Sequence, residues 1–433
     1  MGYQRSVAAL ALLAVLFTAC RKEEEDVPPT ITLVRPSDGF AFTVPDTLEV
    51  ELDAYSEGPL DRVLISLLNA QGVPVVPVLS LAPTGNPAHI EVPLPVTSEA
   101  LASGTYRLVA EARSGEASAR AEADVQITAA PLRLRHVIVL TRPAPDQMGI
   151  QRIDSLGELH AVSTVLADLN GADVSNAAGA FFTIGPYTGP LTAYAADGGA
   201  TRWARPNGSN AGIPWFTSLD VCADGLLHVG TTDGLLRAYT PANCAVAAIA
   251  TLANGYRSGR CAVVGDRLLI AQNATAGGQH LLRVCASPGG AYITDHALDL
   301  EVVRIDGRTN TQALLFGNRN GQGIVQERSI AGGGGWEPRT WSSPISTAER
   351  VDANTWIVAL EDGRIERFTY ANAGSLNIGA GAPVRDLGLD PVSGVMFAVR
   401  GQEAFAFDPG NGAVAASWAL GAEGAWVLPV LNR

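Results

Sequence analysis

Cysteine is the residue type in this sequence that most clearly offers chemistry, and it occurs five times, at Cys20, Cys222, Cys244, Cys261 and Cys285. The last four are accompanied by no CxxC pair and no closely spaced histidine, which argues against a zinc site. In an exported chain, four thiols can form two disulfides with three connectivities. We favour sequential pairing, Cys222–Cys244 and Cys261–Cys285, because it closes two loops of similar length.

Cys20 stands apart because it ends an apolar run. Residues 6–18 are too short to span a bilayer, which needs roughly 20 apolar residues, but they fit the core of a secretory signal. The tetrad FTAC at 17–20 resembles the lipobox of bacterial lipoproteins, with Phe where Leu is commoner. The resemblance implies that residues 1–19 are a signal peptide, and that Cys20 carries lipid such as palmitate. An ordinary signal peptide with an incidental cysteine is the alternative.

A block of charge, RKEEED, follows Cys20 directly. Residues 20–29 cannot bury apolar surface, so we expect a solvated acidic tether. The acidic run resembles the surface-export signal of Bacteroidota lipoproteins, which implies a lipid-anchored outer-membrane protein displayed at the cell surface. The periplasmic face of the same membrane is the alternative.

Composition narrows the fold and the partners. The net charge of −13 argues against nucleic acid as a partner. Apolar residues make up 47% of the chain, which is ample for globular cores. The 46 glycines and 26 prolines, with few long helical patterns, indicate an all-β fold. The length predicts more than one domain.

Residues 30–128 show short alternating runs separated by turn residues. In TLEVELD, for example, Leu48, Val50 and Leu52 share one face. Such runs over about 100 residues predict a β-sandwich. The strings PPTITLVRPSDG and GTYRLVAEA resemble Ig-like domains that follow the lipid in Bacteroidota lipoproteins, which implies a stalk. The antibody-type core cysteine pair and tryptophan are missing.

Residues 133–433 contain a repeated hairpin of two apolar strands around a polar turn. The hairpins occupy 181–194, 226–239, 268–284, 314–328, 356–368 and 395–407, so that their ends are 45, 45, 44, 40 and 39 residues apart. Residues 136–153 add a seventh unit. This period predicts a β-propeller, here with seven blades. We expect residues 425–431 and 133–140, which lack hairpin partners, to combine the two ends of the domain in one blade. Residues 290–345 look irregular.

Two hairpins carry a family resemblance. VGTTDGLLRAY at 229–239 and AFAFDPGNGAVAASW at 404–418 resemble the blades of quinoprotein-type (PQQ-like, WD40-like) propellers. The resemblance implies that Trp203 and Trp418 pack between blades. Quinoprotein dehydrogenases generally have eight blades, calcium and adjacent cysteines, so we predict no quinone cofactor here.

No catalytic or metal motif stands out. The histidines 89, 136, 160, 228, 280 and 296 are scattered, and GxSxG, HExxH and P-loop sequences are absent. Asp295, Asp299 and Asp306 do not have the spacing of an EF-hand calcium loop. We therefore predict no catalytic residues and no metal site, and the ligand-binding residues are unknown at this stage.

The favoured function is a non-catalytic binding or scaffold module that acts through the propeller on an unknown protein or glycan. One alternative is a periplasmic outer-membrane assembly factor, since one lipid-anchored PQQ-like family scaffolds β-barrel insertion. The other is an enzyme whose catalytic groups come from different blades. Two or more carboxylates with an arginine or histidine in the central funnel would favour the enzyme.

Overall fold

A computed structural model describes residues 27–210 and 212–433. The predicted signal peptide, Cys20 and the charge block at 21–26 lie outside the described residues. The chain forms two compact units, of which the first ends at Pro131 and the second extends from Leu132 to Arg433. The described residues contain 36 strands and one 3-10 turn, Tyr370–Asn372, so the all-β prediction is confirmed. Within them, no helix has the length and apolar character needed to cross a membrane.

The first unit has eight strands in two sheets with the orders β1-β3-β6 and β2-β8-β7-β4-β5. The strands are β1 Thr30–Arg35, β2 Phe40–Thr43, β3 Asp46–Tyr55, β4 Arg62–Leu68, β5 Leu79–Leu81, β6 Ala88–Val96, β7 Gly104–Ser114 and β8 Ala117–Thr128. Alternation places Leu48 and Leu52 of β3 inside, where they join Ile65 and Leu108 of the other sheet in one core. The two sheets therefore share a single apolar interior.

The second unit consists of seven four-stranded antiparallel sheets in its described residues. We number them by their strands: sheet 1 is β36-β9-β10-β11, and sheets 2 to 7 are the successive groups β12–β15, β16–β19, β20–β23, β24–β27, β28–β31 and β32–β35. The strands are β9 Leu134–Ala144, β10 Gln147–Ile153, β11 Leu159–Leu166, β12 Gly171–Ser175, β13 Ala180–Ile184, β14 Leu191–Ala195, β15 Thr201–Arg205, β16 Phe216–Val221, β17 Leu227–Thr231, β18 Leu235–Tyr239, β19 Val246–Thr251, β20 Tyr256–Val264, β21 Arg267–Ala274, β22 His280–Ala286, β23 Tyr292–Leu298, β24 Glu301–Thr309, β25 Gln312–Arg319, β26 Gln322–Ser329, β27 Gly335–Trp341, β28 Ile345–Arg350, β29 Thr355–Leu360, β30 Ile365–Thr369, β31 Gly374–Gly379, β32 Asp386–Leu389, β33 Met396–Arg400, β34 Glu403–Phe407, β35 Val414–Ala419 and β36 Glu423–Leu431.

The first strands of these sheets form a ring. β12, β16, β20, β24, β28, β32 and β36 each contact the next in this order, and β36 contacts β12 again. A closed succession of four-stranded antiparallel sheets around a common centre is the architecture of a β-propeller. The repeated hairpins of the sequence are the second and third strands of sheets 2 to 7.

Packing between neighbouring sheets explains why the middle strands are apolar on both faces. All six residues of β29 are buried, whereas the fourth strand of sheet 2, β15, is largely exposed. Phe316 of sheet 5 packs against Trp356 and Phe368 of sheet 6, with ring centroids 5.8 and 6.3 Å away. Each sheet is therefore held by its neighbours rather than by a core of its own.

Two tryptophans dock one sheet on the next in the same way. Trp203 at the end of sheet 2 donates its Nε1–H to Pro241 O of sheet 3 at 3.0 Å. Trp418 at the end of sheet 7 donates to Gly157 O of sheet 1 at 2.8 Å. Both acceptors lie in the turn between the third and fourth strands. The expected packing of these tryptophans between repeats is confirmed.

Sheet 1 closes the ring with both ends of the unit. β36 pairs antiparallel with β9, from Glu423 opposite Arg142 to Leu431 opposite Leu134. The expectation that residues 425–431 and 133–140 combine in one sheet is confirmed. This pairing gives β9, which would otherwise be an edge strand, a partner on each side.

Candidate functional site

The ring of sheets encloses a cavity of about 780 Å³. Its walls come from the innermost strands of all seven sheets, mainly from their C-terminal parts, and from the turns that follow. The exposed turn residues Ala223, Asn310 and Pro391 mark where the cavity reaches the surface. Loop faces and central cavities are where this architecture places ligands, because turns from every sheet converge there.

Each innermost strand contributes one large side chain to a belt around this cavity, which we call the cavity ring. Its members, in order from sheet 2 through sheet 7 to sheet 1, are Asp173, Asp220, Arg260, Arg304, Glu349, Asp386 and Trp426. The two arginines are neighbours, two carboxylates lie on either side of them, and the tryptophan completes the circle. The ring is thus charged on six sheets and aromatic on the seventh.

Three of the four carboxylates in the cavity ring accept hydrogen bonds from the main chain of the next sheet. Asp173 accepts from Val221 N at 2.7 Å, Asp220 from Cys261 N at 3.0 Å, and Asp386 from Val427 N at 2.9 Å. These N–H groups point across the gap between innermost strands, where strand pairing cannot satisfy them. The three aspartates therefore fasten their own innermost strands to the innermost strand of the next sheet.

The arginines do the same with carbonyl groups. Arg260 donates from Nε to Val303 O and Arg304 from Nη1 to Ala348 O, both at 3.2 Å. They also pair with carboxylates: Arg260 with Asp220 at 3.0 Å, and Arg304 with Glu349 at 2.5 Å. Both arginines of the ring and two of its four carboxylates are therefore ion-paired within the wall of the cavity.

Asp306, beside the ring, couples the cavity to the apolar interior. Its carboxylate accepts from Arg304 Nε at 2.9 Å and from the indole N–H of Trp356 at 2.7 Å. Trp356 is fully buried between sheets 5 and 6. A change in the packing around Trp356 is therefore expected to alter the position of Asp306 and Arg304 at the cavity wall.

Burial shifts the pKa of the acidic members upward. It raises the pKa of Asp173 to about 6 and that of Asp386 to about 7. For Asp386, Glu349 adds to the effect, while the Val427 N–H and Arg260 oppose it. Burial also raises the pKa of Glu349, against the attraction of Arg304. Carboxyls that exchange protons near neutral pH can act as general acids or bases, or titrate a ligand's charge.

The raised pKa of Asp386 gives a pH prediction. Below pH 4 the Asp386 carboxyl is protonated in both the folded and the unfolded chain. Between pH 4 and 7 it stays protonated only in the folded chain. The free energy of unfolding therefore falls as the pH rises through this range. We expect Asp386→Asn, which stays neutral and keeps an acceptor for Val427 N, to match the wild type in stability at pH 4 and to exceed it by about 4 kcal/mol at pH 8.

Urea unfolding at several pH values measures this difference. Asp146→Asn, in the exposed turn between β9 and β10, removes one carboxyl without touching the cavity and is the matched control. A stability difference for Asp386→Asn that does not grow with pH would contradict the assignment.

The predicted disulfide pairs are wrong: Cys222, Cys244, Cys261 and Cys285 are all free and buried. Cys244 packs between sheets 2 and 3, whereas Cys222 packs between sheets 3 and 4, so the two lie on opposite faces of sheet 3. Cys261 of β20 and Cys285 of β22 are separated by β21, about 9.6 Å across two strand spacings. That span exceeds what a disulfide bridges. The similar lengths of the two loops, on which the predicted pairing was based, do not show on which face of a sheet each cysteine lies.

The structure does not gather the histidines into one site. His228 is buried and bonds Asp224, while His136 bonds Ala196 O. Two surface groups place three ligand-type atoms within 4.8 Å of one another, and each contains one histidine. They are Glu51, His89 and Glu91 in the first unit, and Asp154, Glu158 and His160 in sheet 1. Each histidine already bonds a carboxylate there, so neither group offers an uncommitted ligand set.

The three aspartates considered as calcium ligands serve separate arginines. Asp295 pairs with Arg283 at 2.7 Å, and Asp299 pairs with Arg319. Asp306 belongs to the cavity wall with Arg304. They do not form one site.

The residues of the cavity ring were not among those predicted from the sequence. Their signal is a charged residue near the end of the short strand that precedes each repeated hairpin, as Asp220 precedes 226–239 and Glu349 precedes 356–368. Because the register and side of those strands were unknown, an isolated aspartate or arginine there looked like an ordinary surface residue.

Comparison with known proteins gives only distant likenesses. No protein-family model and no curated protein matches this sequence. Among solved structures, the WD40 β-propeller domain of Doa1 is 13% identical, with a TM-score of 0.48 over 61% of this chain and 85% of that one. The computationally designed Ika8 protein is 10% identical, with a TM-score of 0.47 over 67% and 90%. A chain of the mitotic checkpoint complex is 16% identical, with a TM-score of 0.48 over 60% and 82%. The β-propeller assignment rests on the ring of four-stranded sheets described above.

Proposed function

We propose that this chain is a non-catalytic binding or scaffold module whose ligand, a protein or a glycan, docks at the open end of the central cavity. The main support for this proposal is that the charged side chains of the cavity ring are already hydrogen-bonded or ion-paired. They are engaged with the next sheet or with one another, so the cavity presents a rigid polar surface rather than free reactive groups. Preorganised surfaces of this kind favour binding because little order must be created on association.

The lining also lacks the usual partners for nucleophilic chemistry. Among the described residues that line the cavity there is no histidine, serine or lysine. The thiols of Cys222 and Cys261 line it, but their pKa values are raised, which disfavours the reactive thiolate.

An enzyme is the second candidate, and one observation favours it. The cavity wall holds several carboxylates together with Arg260 and Arg304, which is the arrangement that would favour catalytic groups drawn from different sheets. Asp386, with its pKa raised to about 7, could act as a general acid or base. However, the hydrogen bonds between the ring aspartates and the main chain favour a structural role for these carboxylates over a catalytic one.

We also propose specific domain types and a membrane anchor for this chain. We take residues 30–128 as an Ig-like stalk domain and residues 133–433 as a seven-bladed propeller. The lipobox-like FTAC at 17–20 supports a lipid anchor on Cys20 at the outer membrane, with the cell surface favoured. Protease shaving of intact cells, with Cys20→Ala as the variant released from the membrane, distinguishes surface display from a periplasmic assembly factor.

A variant that narrows the cavity opening tests the binding proposal. Ala223 is exposed and lines the opening, so Ala223→Trp places a bulky ring there without touching the cavity ring. Against purified surface proteins and polysaccharides, we expect at least one ligand whose affinity falls tenfold or more in this variant. Asp146→Trp is the control, because the β9–β10 turn lies at the opposite end of the strands.

The same panel separates the two candidates. Turnover of a polysaccharide or ester that is lost in Asp386→Asn and Glu349→Gln, without a stable complex, would establish the enzyme instead. Equal affinity of Ala223→Trp and wild type for every bound ligand would exclude the cavity opening as the docking site.

A further inference from the structure

Two of the four buried cysteines meet at the junction of sheets 3 and 4. Cys222 directly follows β16, and Cys261 lies within β20, the innermost strand of the next sheet. Their Sγ atoms are 3.8 Å apart, and Cys222 Sγ is 3.7 Å from Cys261 O. Both side chains are more than nine-tenths buried, in one cluster between the two sheets.

The neighbourhood holds this pair in register. Asp220, two residues before Cys222, accepts a hydrogen bond from Cys261 N at 3.0 Å and pairs with Arg260. The cavity ring therefore fastens the two strands next to both sulfur atoms. The other two thiols are excluded as partners by their positions, Cys244 on the far face of sheet 3 and Cys285 two strands from Cys261.

We propose that Cys222 and Cys261 are a disulfide site that cross-links sheet 3 to sheet 4 in the wall of the central cavity. A disulfide brings its sulfur atoms to about 2.05 Å, so the pair must close by less than 2 Å. This link joins neighbouring sheets, unlike either pair expected from sequence. It is independent of the ligand proposed for the cavity.

Thiol–disulfide exchange with an external small disulfide supplies the chemistry. Cys222 Sγ, as thiolate, attacks one sulfur of the reagent and releases its first thiolate. Cys261 Sγ then attacks Cys222 Sγ in the mixed disulfide and releases the second. The protons of the two cysteines end on the two released thiols, and the two electrons reduce the external S–S bond. Both residues line the cavity, which gives the reagent a path.

The geometry also suggests which thiol reacts first. The hydrogen bond with Cys261 lowers the pKa of Cys222, although burial and Asp220 keep it above its ordinary value. The pKa of Cys261 is raised well above its ordinary value by its bond with Cys222, by burial and by Asp220. Exchange is therefore expected to be slow at neutral pH and to begin at Cys222.

Peptide mapping tests the link directly. The folded full chain is treated with 2-hydroxyethyl disulfide, remaining thiols are alkylated, and the protein is digested with trypsin. Cleavage after Arg237, Arg257, Arg260, Arg267 and Arg283 leaves each of the four cysteines on a different peptide. We expect the dominant cross-linked product to join residues 261–267 to the peptide that contains Cys222, with a rise in the melting temperature of about 5 °C.

Variants and an unfolded sample make the result decisive. Cys222→Ala should abolish the link and the melting shift, while Cys244→Ala should keep both. Protein oxidised in urea should give mixed pairings, which shows that the folded state selects the pair. A dominant link through Cys244 or Cys285, or full retention of free Cys222 and Cys261 in folded protein while the urea sample oxidises, would overturn the proposal.

Discussion

Deletion of residues 423–433 is expected to abolish cooperative unfolding of the second unit. These residues form β36, which pairs with β9 and contacts the innermost strands on both sides, β12 and β32. Val427, Leu428 and Val430 are at least 95% buried. Burial of such side chains contributes about 1.5–3 kcal/mol each, so their loss is comparable with the whole stability of a typical domain.

Calorimetry measures this effect, and a peptide provides the control. The truncated chain should lose the sharp transition of the full chain or show it at a much lower temperature. A synthetic peptide of residues 421–433, added in excess, should restore the transition, and a scrambled peptide of equal composition should not. A truncated chain that melts like the full chain would show that sheet 1 does not hold the ring closed.

Trp356→Ala is the second change to the chain that is expected to have a large effect on stability. Trp356 is fully buried against Phe316 and Phe368, with ring centroids 5.8 and 6.2 Å away. Truncating a buried tryptophan to alanine costs about 3–5 kcal/mol, because it removes apolar contacts and leaves a cavity. Here it also removes the indole N–H that Asp306 accepts beside the cavity ring.

Urea unfolding of two further variants separates these contributions. Trp356→Phe keeps most of the volume but not the N–H, so its loss should be smaller, about 1–3 kcal/mol. Trp336→Ala is the matched control, since Trp336 is 51% exposed but its indole N–H also donates to a carboxylate, that of Glu327. The same truncation there should therefore cost less than in the core, about 1–3 kcal/mol. Equal losses for Trp356→Ala and Trp336→Ala would refute the role assigned to the core between sheets 5 and 6.

Much of the fold could be predicted because periodicity records burial. The alternation of Leu48, Val50 and Leu52 places one face of β3 in the core of the first unit. In the second unit, the middle strands are buried on both faces and stay apolar throughout, so hairpins such as 226–239 stand out. The Asp233–Gly234 turn also has the positive φ that glycine favours, 81° at Gly234.

The irregular appearance of residues 290–345 was misleading. They contain all of β23, β24, β25, β26 and β27, so sheet 5 is as regular as its neighbours. Bulges in β24, between Val302 and Arg304 and between Gly307 and Thr309, break the alternation that the pattern requires. A polar residue beside such a bulge can line the cavity even though the alternation of polar and apolar residues in the sequence does not indicate it.

The site could not be predicted for a related reason. Successive members of the cavity ring lie 37–47 residues apart in the sequence, one to a sheet, and only the closed ring brings them together. The meeting of Cys222 with Cys261 depends on the packing of sheet 3 against sheet 4. Local patterns identify strands and turns, but they carry no information about which side of a strand faces its neighbour across the ring.

The closing sheet has a consequence for the time course of folding. Arg133 and Asn432, which bond each other at the seam, are 299 residues apart in sequence. Contacts at such separation form late, because the intervening chain must first be ordered. At synthesis rates of about 5–20 residues per second, the last strand follows the first by about 15–60 seconds. Throughout that interval β9 is an open edge that another chain could pair with, so the nascent protein is expected to need protection until its final residues emerge.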